Sequence, residues 1–192
     1  TYEQADSQSS GNLAALFKIA DKNIERRKAA GAGFIQMPEV HISLEHPANA
    51  ANGEPAVRIE PIMRCRSAEL VREFMLLAGE AAARFAFKNA IPFPFVCQEK
   101  PEIPRSLSEG LAGQYRLRRC MKSRTISTSP LAHAGLGLGM YSQVTSPLRR
   151  YGDLVAHEQL HAFLDGRPLL SKDSLLERIS EGDAAASAAV KA

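Results

Sequence analysis

The amino-acid sequence predicts an α+β fold that is rich in helices and contains a small antiparallel sheet. Two long segments repeat their apolar residues at helical spacing, and two short segments between them alternate apolar and polar residues as strands do. The 192 residues are 45% hydrophobic and 23% charged. This composition allows one globular domain with a substantial core and excludes a disordered tail.

The first helix and the sheet are predicted in the N-terminal third of the chain. Apolar residues three or four positions apart predict a helix with Gly31 as its stop signal; they are Leu13, Leu16, Phe17, Ala20 and Ile24. The period then changes, because Val40, Ile42 and Leu44 alternate with polar residues and so predict a strand with one buried face. Residues 56–64 predict a second strand, so that residues 34–64 form a hairpin-like pair.

Helices are also predicted in the rest of the chain. A long helix follows the strands, with a predicted inner face of Leu70, Phe74, Leu77, Ala78, Ala81 and Phe85, and it ends before the prolines of residues 91–95. The segment 92–139 is punctuated by proline and glycine, with a short helix predicted near residues 107–115. Ser146 followed by Pro147 predicts another helix start, because serine caps free amides and proline suits the first helical position. We expect Tyr151 of that helix to belong to the core.

Terminal residues, cysteines and hydropathy bound the class of protein. No apolar run approaches the roughly 20 residues of a membrane-spanning helix, and residues 1–10 lack a signal-peptide pattern. Cys65, Cys97 and Cys120 are odd in number and scattered, which favours reduced thiols. We therefore expect a soluble, cytoplasmic monomer that does not bind membranes. The first residue is Thr1, and the Ala-rich end has no helix stop, which predicts a fragment of a longer protein.

Charge is unevenly distributed, although the net charge is only +3. Residues 110–152 contain no Asp or Glu, and we call them the basic segment. Its seven basic residues are Arg116, Arg118, Arg119, Lys122, Arg124, Arg149 and Arg150. Such a segment produces a local positive field that attracts polyanions. The alternative is a solvated basic face whose arginines pair with acids elsewhere in the fold.

Arg149 and Arg150 are predicted to lie in the first turn of a helix, where the helix dipole disfavours cations. Asp153 lies at i+4 and i+3 from them, so one interpretation is a salt-bridged helix start. The other interpretation is an anion site. Amides at the helix start, a hydroxyl of Thr145 or Ser146 and a guanidinium can converge on a phosphate, and the planar fork of arginine suits two of its oxygens.

At these residues the sequence resembles the ribonuclease II (RNB) family. Residues 141–157, YSQVTSPLRRYGDLVAH, are similar to a family signature of the approximate form YxHFTSPIRRYADLVVHR, and residues 133–141 and 70–79 are similar to other family segments. The resemblance implies that residues 1–192 are the C-terminal part of an RNB catalytic domain. It implies a parent protein that hydrolyses single-stranded RNA processively from 3′ to 5′, to mononucleotides and short ends.

The resemblance also implies roles for individual residues. Arg149 matches the catalytic arginine that contacts the phosphate near the scissile bond, and Phe34 matches an aromatic that stacks on a terminal base. The alternative for Phe34 is a core residue at a strand start. Further RNA contacts are expected from Tyr141, Thr145, Ser146, Arg150, Arg72 and Glu73. The last two replace a family acidic pair, so an arginine stands where the family has an acid; alternatively, Glu73 is only a solvated helix residue.

Magnesium is the cofactor that the resemblance implies, held by an aspartate cluster upstream of the matched region. The aspartates of this chain are dispersed, at Asp6, Asp21, Asp153, Asp165, Asp173 and Asp183. We therefore expect no metal site in this chain. We also expect that residues 1–192 alone do not cleave RNA, because metal-assisted hydrolysis needs ions to activate water and neutralise the leaving oxygen.

Two alternatives to an exoribonuclease remain from the sequence. His157-Glu158-Gln159-Leu160-His161 matches HExxH, in which two histidines bind zinc and the glutamate activates water, with Glu181 as a possible third ligand. This alternative is a zinc peptidase. The other is a noncatalytic RNA-binding module that retains the basic segment and lacks the metal cluster.

Overall fold

A computed structural model describes residues 1–7, 11–45, 56–62, 65–104 and 107–191. The elements are α1 (Tyr2–Asp6), α2 (Gly11–Ala29), β1 (Val40–Glu45), β2 (Ala56–Pro61), α3 (Arg66–Lys88), β3 (Phe95–Cys97), α4 (Gly110–Cys120), β4 (Thr125–Ser127), α5 (Tyr151–Leu164) and α6 (Lys172–Lys191). A 3₁₀ turn, Ala134–Leu136, precedes α5. The predicted α+β class is confirmed, with two two-stranded antiparallel sheets in place of one. Within the described ranges no helix is long and apolar enough to cross a membrane.

The core lies where α3, α5 and the segment around β3 meet. Its central members are Ala83, Ala86, Ile91, Phe93, Phe95, Cys97 and Ala156. Phe93 is fully buried, and removing an aromatic side chain of this size from water contributes roughly 2 to 3 kcal/mol. A second apolar cluster, Val155 with Leu175 and Ile179, fixes α6 against α5. Cys65, Cys97 and Cys120 form no disulfide in the described structure.

Helix α3 forms as predicted, but the predicted inner face is wrong. Its buried positions include Glu73, Gly79, Glu80 and Ala83, whereas Phe85 is exposed. A Cβ at Gly79 would collide with the Ser142 carbonyl oxygen and the Tyr141 ring, so the close approach of residues 141–142 requires glycine. The two glutamates are buried because arginines of α2 pair with them. Apolar periodicity cannot reveal such pairs.

The β1–β2 ribbon confirms the predicted hairpin-like pairing. Its register places Ile42 opposite Ile59 and Leu44 opposite Val57, so these four apolar side chains share one face. The prediction that this face is buried is wrong, since Ile42 is 61% exposed and Ile59 is 63% exposed. Residues 46–55 of the predicted loop and Arg64 of the predicted second strand lie outside the described residues.

Two helix boundaries differ from the sequence prediction. The short helix predicted near residues 107–115 is α4, at Gly110–Cys120. The helix predicted to start at Ser146 starts at Tyr151, so Arg149 and Arg150 precede it. Residues 147–149 instead form a turn in which the amides of Arg149 and Arg150 donate to the Ser146 carbonyl oxygen, at 3.2 and 3.0 Å.

Candidate functional site

The turn before α5 is held by one carboxylate. Asp153, 1% exposed, accepts the Ser146 amide through Oδ2 at 2.9 Å. Arg150 donates from Nε to Asp153 Oδ1 at 2.8 Å and from Nη2 to Oδ2 at 2.7 Å, and Nη2 also reaches Thr145 Oγ1 at 3.4 Å. The hydrogen bonds with Asp153 raise the pKa of Arg150 above its usual value. The salt-bridged turn expected from the i+3 spacing is therefore present.

Arg149 projects from this turn into solvent. Its side chain is exposed and has neither an ion pair nor a hydrogen bond within the part of the chain that the structure describes. Asp153 does not pair with Arg149, because both oxygens of its carboxylate accept hydrogen bonds from Arg150 and Ser146. The turn thus brings together Thr145, Ser146 and Arg150 and leaves one guanidinium open to an external anion.

Phe34 lies in a separate cavity of about 390 Å³. The other residues that line it are two cations, three acids and two further residues: Lys28, Arg72, Asp21, Glu25, Glu69, Ile24 and Gln36. Its ring is half-buried, and two cations lie near it: Arg27 Cζ is 5.1 Å and Lys28 Nζ is 5.4 Å from the ring centroid. Phe34 is therefore not a fully buried core residue. An aromatic ring beside cations at the wall of a cavity can contact both the face of a base and a phosphate.

Glu73 is not a solvated helix residue, and this expectation is corrected. It is 0% exposed, and Arg27 Nη1 donates to its two oxygens at 2.6 and 2.7 Å, with Asn23 Nδ2 at 2.8 Å. With its carboxylate occupied and buried, Glu73 has no surface to offer RNA. Arg72 is half-exposed and pairs with Glu73 at 3.3 Å and with Glu69 at 3.5 Å, so it remains at the cavity wall.

Sequence reasoning missed the role of Arg27, which connects four parts of the fold. Besides its pair with Glu73 of α3 and its contact with Phe34, it donates from Nε to the Leu136 carbonyl oxygen of the 3₁₀ turn at 2.8 Å. In the sequence it stands between Arg26 and Lys28 at a helix end, where three basic residues look alike. Its own burial distinguishes it, because the Arg27 side chain is 4% exposed, whereas that of Arg26, which pairs with Glu80, is 47% exposed.

Tyr141, expected to contact RNA, is buried, and this expectation is also corrected. Its ring packs edge-on against His133, with centroids 5.8 Å apart. Burial raises the pKa of Tyr141 and lowers the pKa of His133, whose protonated form Arg124 and Arg27 disfavour further. His133 Nδ1 is buried and has no hydrogen-bond partner among the described residues. The pair lies between the Phe34 cavity and the turn before α5, and it serves as internal support.

The arginines divide into two groups by their partners. The eight described arginines outside the basic segment all pair with a carboxylate; they are Arg26, Arg27, Arg58, Arg66, Arg72, Arg84, Arg167 and Arg178. In the basic segment only Arg150 does so, and Arg124 donates to the neutral Gln143. Arg116, Arg118, Arg119 and Arg149 have no side-chain partner within the described ranges. The predicted local positive field is therefore not neutralised within these ranges.

The HExxH residues do not form a zinc site. His157 Nε2 lies 2.6 Å from the Val144 carbonyl oxygen, Glu158 pairs with Arg178 at 2.7 Å, and His161 is exposed. In the described ranges, no three His, Cys, Asp or Glu side chains are grouped to hold a metal ion. The residues present therefore do not fit the magnesium that the family resemblance implies, and no metal-dependent step is assigned to them.

Comparison with known proteins gives consistent matches. A family model described as the RNB domain matches residues 1–111 and 106–166. An uncharacterised ribonuclease of Synechocystis sp. is 40% identical over 180 residues, which cover 88% of this chain and 26% of that protein. An active-site mutant of the Dss1 exoribonuclease of Candida glabrata superposes with a TM-score of 0.75 at 25% identity, covering 93% of this chain and 26% of that chain.

RNase R of Mycoplasma genitalium, in complex with ribose-methylated single-stranded RNA, superposes with a TM-score of 0.67 at 19% identity. The match covers 94% of this chain and 35% of that one, and at this identity it establishes the shared fold alone. The chain thus spans about a quarter of the Synechocystis relative and about a third of the RNase R chain.

Proposed function

Because this chain belongs to the RNB family, we propose that it is the C-terminal part of a catalytic domain that hydrolyses RNA. The parent protein degrades single-stranded RNA processively from the 3′ end, to mononucleotides and short ends. One observation carries the proposal: Arg149 is exposed and without a partner in the described structure, on a turn that the buried Asp153 holds in place. A scaffold of this kind presents a guanidinium to a phosphate in a fixed position.

Arg149 stabilises the charge that builds on the phosphoryl oxygens during hydrolysis. A planar guanidinium binds two oxygens of one phosphate, and a preorganised donor of this kind acts on the transition state without costly reorganisation. Arg150 has a different role, because Asp153 occupies the Nε–Nη2 edge of its guanidinium and leaves only Nη1 for a neighbouring phosphate. Thr145 and Ser146 shape the turn. They contact RNA only on the side of the turn where Arg149 lies.

Phe34 holds the terminal base by stacking on it in the cavity that Phe34 and Arg72 line. Stacking contributes about 1 to 3 kcal/mol per base and does not depend on base identity, which suits an enzyme that acts on any sequence. Arg72, at the wall of the same cavity, is placed to contact the phosphate or sugar of the stacked nucleotide. The magnesium ligands belong to parts of the parent protein outside the described residues.

Substitution of Arg149 in the full-length protein tests the proposal. Arg149→Ala is expected to lower kcat by about 100-fold or more, with a smaller change in KM, because the lost contact forms mainly in the transition state. Arg149→Lys is expected not to restore the rate, since an ammonium lacks the fork. Rates are measured on single strands labelled at the 3′ or the 5′ end. Arg167→Gln, which removes an exposed arginine paired with Asp165, is the charge-matched control.

Wild-type kcat in Arg149→Ala contradicts the catalytic role, and full activity in Arg149→Lys contradicts the bidentate contact. A noncatalytic RNA-binding module is the second candidate, since the arginines of the basic segment that lack a partner in the described ranges attract RNA without any metal ion. This second candidate predicts that the full-length protein binds the labelled single strand but does not shorten it at any magnesium concentration. The same two labelled strands distinguish the candidates.

A further inference from the structure

Helix α4 carries an exposed aromatic beside two exposed arginines. Tyr115, Arg118 and Arg119 stand at i, i+3 and i+4, so they are neighbours on one side of the helix, which we call the α4 face. Tyr115 is 55% exposed, and both arginines are exposed. An exposed tyrosine is not unusual by itself, but here its neighbours are unneutralised cations.

The charge of the α4 face lacks compensation within the fold. Arg118 and Arg119 pair with no carboxylate in the part of the chain that the structure describes, whereas all eight described arginines outside the basic segment do. The helix itself contains no acid. The α4 face is therefore not stabilised by ion pairs within the described residues, and its positive charge is available to an anionic partner.

Helix α4 is fixed beside the segment that carries Phe34. Gln114 Oε1 accepts the Gln36 amide at 2.8 Å, two residues beyond Phe34. After the helix ends, Met121 Cε lies 3.4 Å from where a Cβ of Gly33 would stand, so the chain on the other side of Phe34 is also in contact. The α4 face is thus anchored at both flanks of the proposed terminal-base site.

We propose that the α4 face is a second binding site for the same nucleic-acid strand, upstream of the nucleotide held by Phe34. Tyr115 stacks on a base, and Arg118 and Arg119 contact the adjoining phosphates. A groove for single strands combines an aromatic surface with a positive field along the backbone, and the α4 face has both elements. Because α4 is hydrogen-bonded to the segment that carries Phe34, a strand bound at Phe34 continues past α4, which favours the same strand over a separate acidic protein partner. The proposal rests on the proposed function and adds a site that retains long substrates.

Binding is tested in the full-length protein carrying Arg149→Ala, in which cleavage is slow. Fluorescence anisotropy is recorded with labelled single-stranded RNA of about 15 nucleotides and of about 3 nucleotides. Tyr115→Ala is expected to weaken binding of the long strand by about tenfold and to leave the short strand unchanged, because only the long strand reaches α4. Tyr115→Phe keeps the stacking surface and is expected to keep wild-type affinity.

The arginines are tested by the salt dependence of the same binding. Arg118→Gln with Arg119→Gln is expected to reduce the slope of log K against log salt by about 0.7 per arginine for the long strand. Arg167→Gln is expected to leave it unchanged. The side chains are exposed, so the melting temperature of each variant confirms that it is folded.

The outcomes separate the two proposals. If the Arg149→Ala protein binds the long strand and Tyr115→Ala binds it equally well, the α4 site is wrong and the proposed function stands. If Arg118→Gln with Arg119→Gln lowers the salt slope while Tyr115→Ala binds the long strand as tightly as the unmodified protein, the arginines contact the strand without base stacking, and the α4 site as proposed is overturned. If neither strand is bound and the unmodified protein does not cleave RNA, both proposals are overturned.

Discussion

Single buried residues determine how this site is presented, and Asp153 is the clearest case. Its carboxylate is the common acceptor for the Ser146 amide and the Arg150 guanidinium, so one side chain fixes both ends of the turn that carries Arg149. Removing one partner of a buried carboxylate is strongly destabilising, because the remaining charge is then left without compensation. Asp153 is therefore a positioning residue, since it acts through Arg149.

Asp153→Asn is expected to lower the free energy of unfolding by about 2 kcal/mol, because the amide has a single acceptor oxygen, so its NH2 group faces the Nε donor of Arg150 and the ion pair is lost. It is also expected to reduce kcat in the full-length protein while KM changes less. Urea denaturation and initial rates measure the two effects. Asp165→Asn removes an exposed carboxylate that pairs with Arg167 and is expected to change stability by less than about 1 kcal/mol. Equal effects of the two substitutions contradict the positioning role.

His133 makes stability depend on pH. Burial, with the charges of Arg124 and Arg27, lowers the pKa of His133 in the folded state. A lowered pKa means that the unfolded chain binds the proton more readily, so stability is fully present above the ordinary pKa of histidine, about 6.5, and is lost as pH falls below it. Thermal unfolding at several pH values from about 7.5 downwards is expected to show this loss.

The control for His133 is another histidine of the same chain. His133→Leu is expected to remove part of the loss of stability below pH of about 6.5, because Nδ1 already lacks a partner in the described structure and no hydrogen bond of that atom is sacrificed. His161→Leu, at an exposed position of α5, is expected to leave the pH dependence as it is in the unmodified protein. An unchanged profile in His133→Leu contradicts the assignment.

At the scale of the elements, the β1–β2 ribbon presents an apolar face to solvent. Ile42→Thr and Ile59→Thr are expected to change the free energy of unfolding of the 192-residue chain by less than about 0.5 kcal/mol, since both side chains are mostly exposed. Ile179→Thr, at a position that is 4% exposed between α5 and α6, is the matched control and is expected to cost about 2 kcal/mol. Chemical denaturation measures all three.

If Ile42→Thr lowers the free energy of unfolding as much as Ile179→Thr does, the apolar face of the ribbon is covered in solution. Sedimentation of the chain at increasing concentration then shows whether a second copy covers it. If the chain sediments as a monomer at every concentration and Ile42→Thr still lowers the free energy of unfolding this much, the structure of the ribbon is contradicted.

Element type was predictable from the sequence, whereas packing was not. The helical period located α2 and α3, and alternation located β1 and β2, because these patterns follow from local geometry. The buried side of α3 was not predictable, since Glu73 and Glu80 become interior residues only when Arg27 and Arg26 are brought to them from α2. A periodicity analysis counts apolar residues and assigns every glutamate to the surface.

The start of α5 was mispredicted for a similar reason. Ser146 followed by Pro147 has the local chemistry of a helix start, yet Asp153 competes for the Ser146 amide and converts residues 146–150 into a separate turn. The spacing correctly predicted the pair of Arg150 with Asp153, which was the structural alternative to an anion site. The site prediction failed for Glu73 and Tyr141, because burial depends on which elements pack together. The roles of Arg149, Phe34 and Arg72 stay predictions.

On the scale of the whole molecule, the two parts of the proposed site share one support. Arg27 connects α2 to α3, to Phe34 and to the Leu136 carbonyl oxygen, and the 3₁₀ turn containing Leu136 follows His133, which packs on Tyr141. Tyr141 in turn lies close enough to Arg150 and Asp153 for their charges to act on its pKa. The Phe34 cavity and the Arg149 turn are therefore joined through buried contacts, so the two proposed contacts are kept at a fixed distance from each other.

The whole chain is expected to bind RNA better than it cleaves it. It presents arginines without partners in the described structure, but in the same ranges no three potential metal ligands are grouped, and the chain spans about a quarter of its Synechocystis relative. Hydrolysis of a phosphodiester needs a means of activating water and neutralising the leaving oxygen, as well as a phosphate contact. Purified residues 1–192 are therefore expected to produce no labelled RNA fragments with magnesium present, while the full-length protein does.

Adding the missing part of the parent protein in trans, as a separate purified chain, extends the same experiment. Cleavage that appears only when both chains are present, and that Arg149→Ala in the 192-residue chain abolishes, locates the phosphate contact here and the metal ligands in the other chain. Magnesium-dependent cleavage by residues 1–192 alone, lost in Arg149→Ala and unaffected by Arg167→Gln, contradicts this division. Such a result would mean that a metal site forms in this chain when RNA is bound, with phosphate oxygens completing the ligand set.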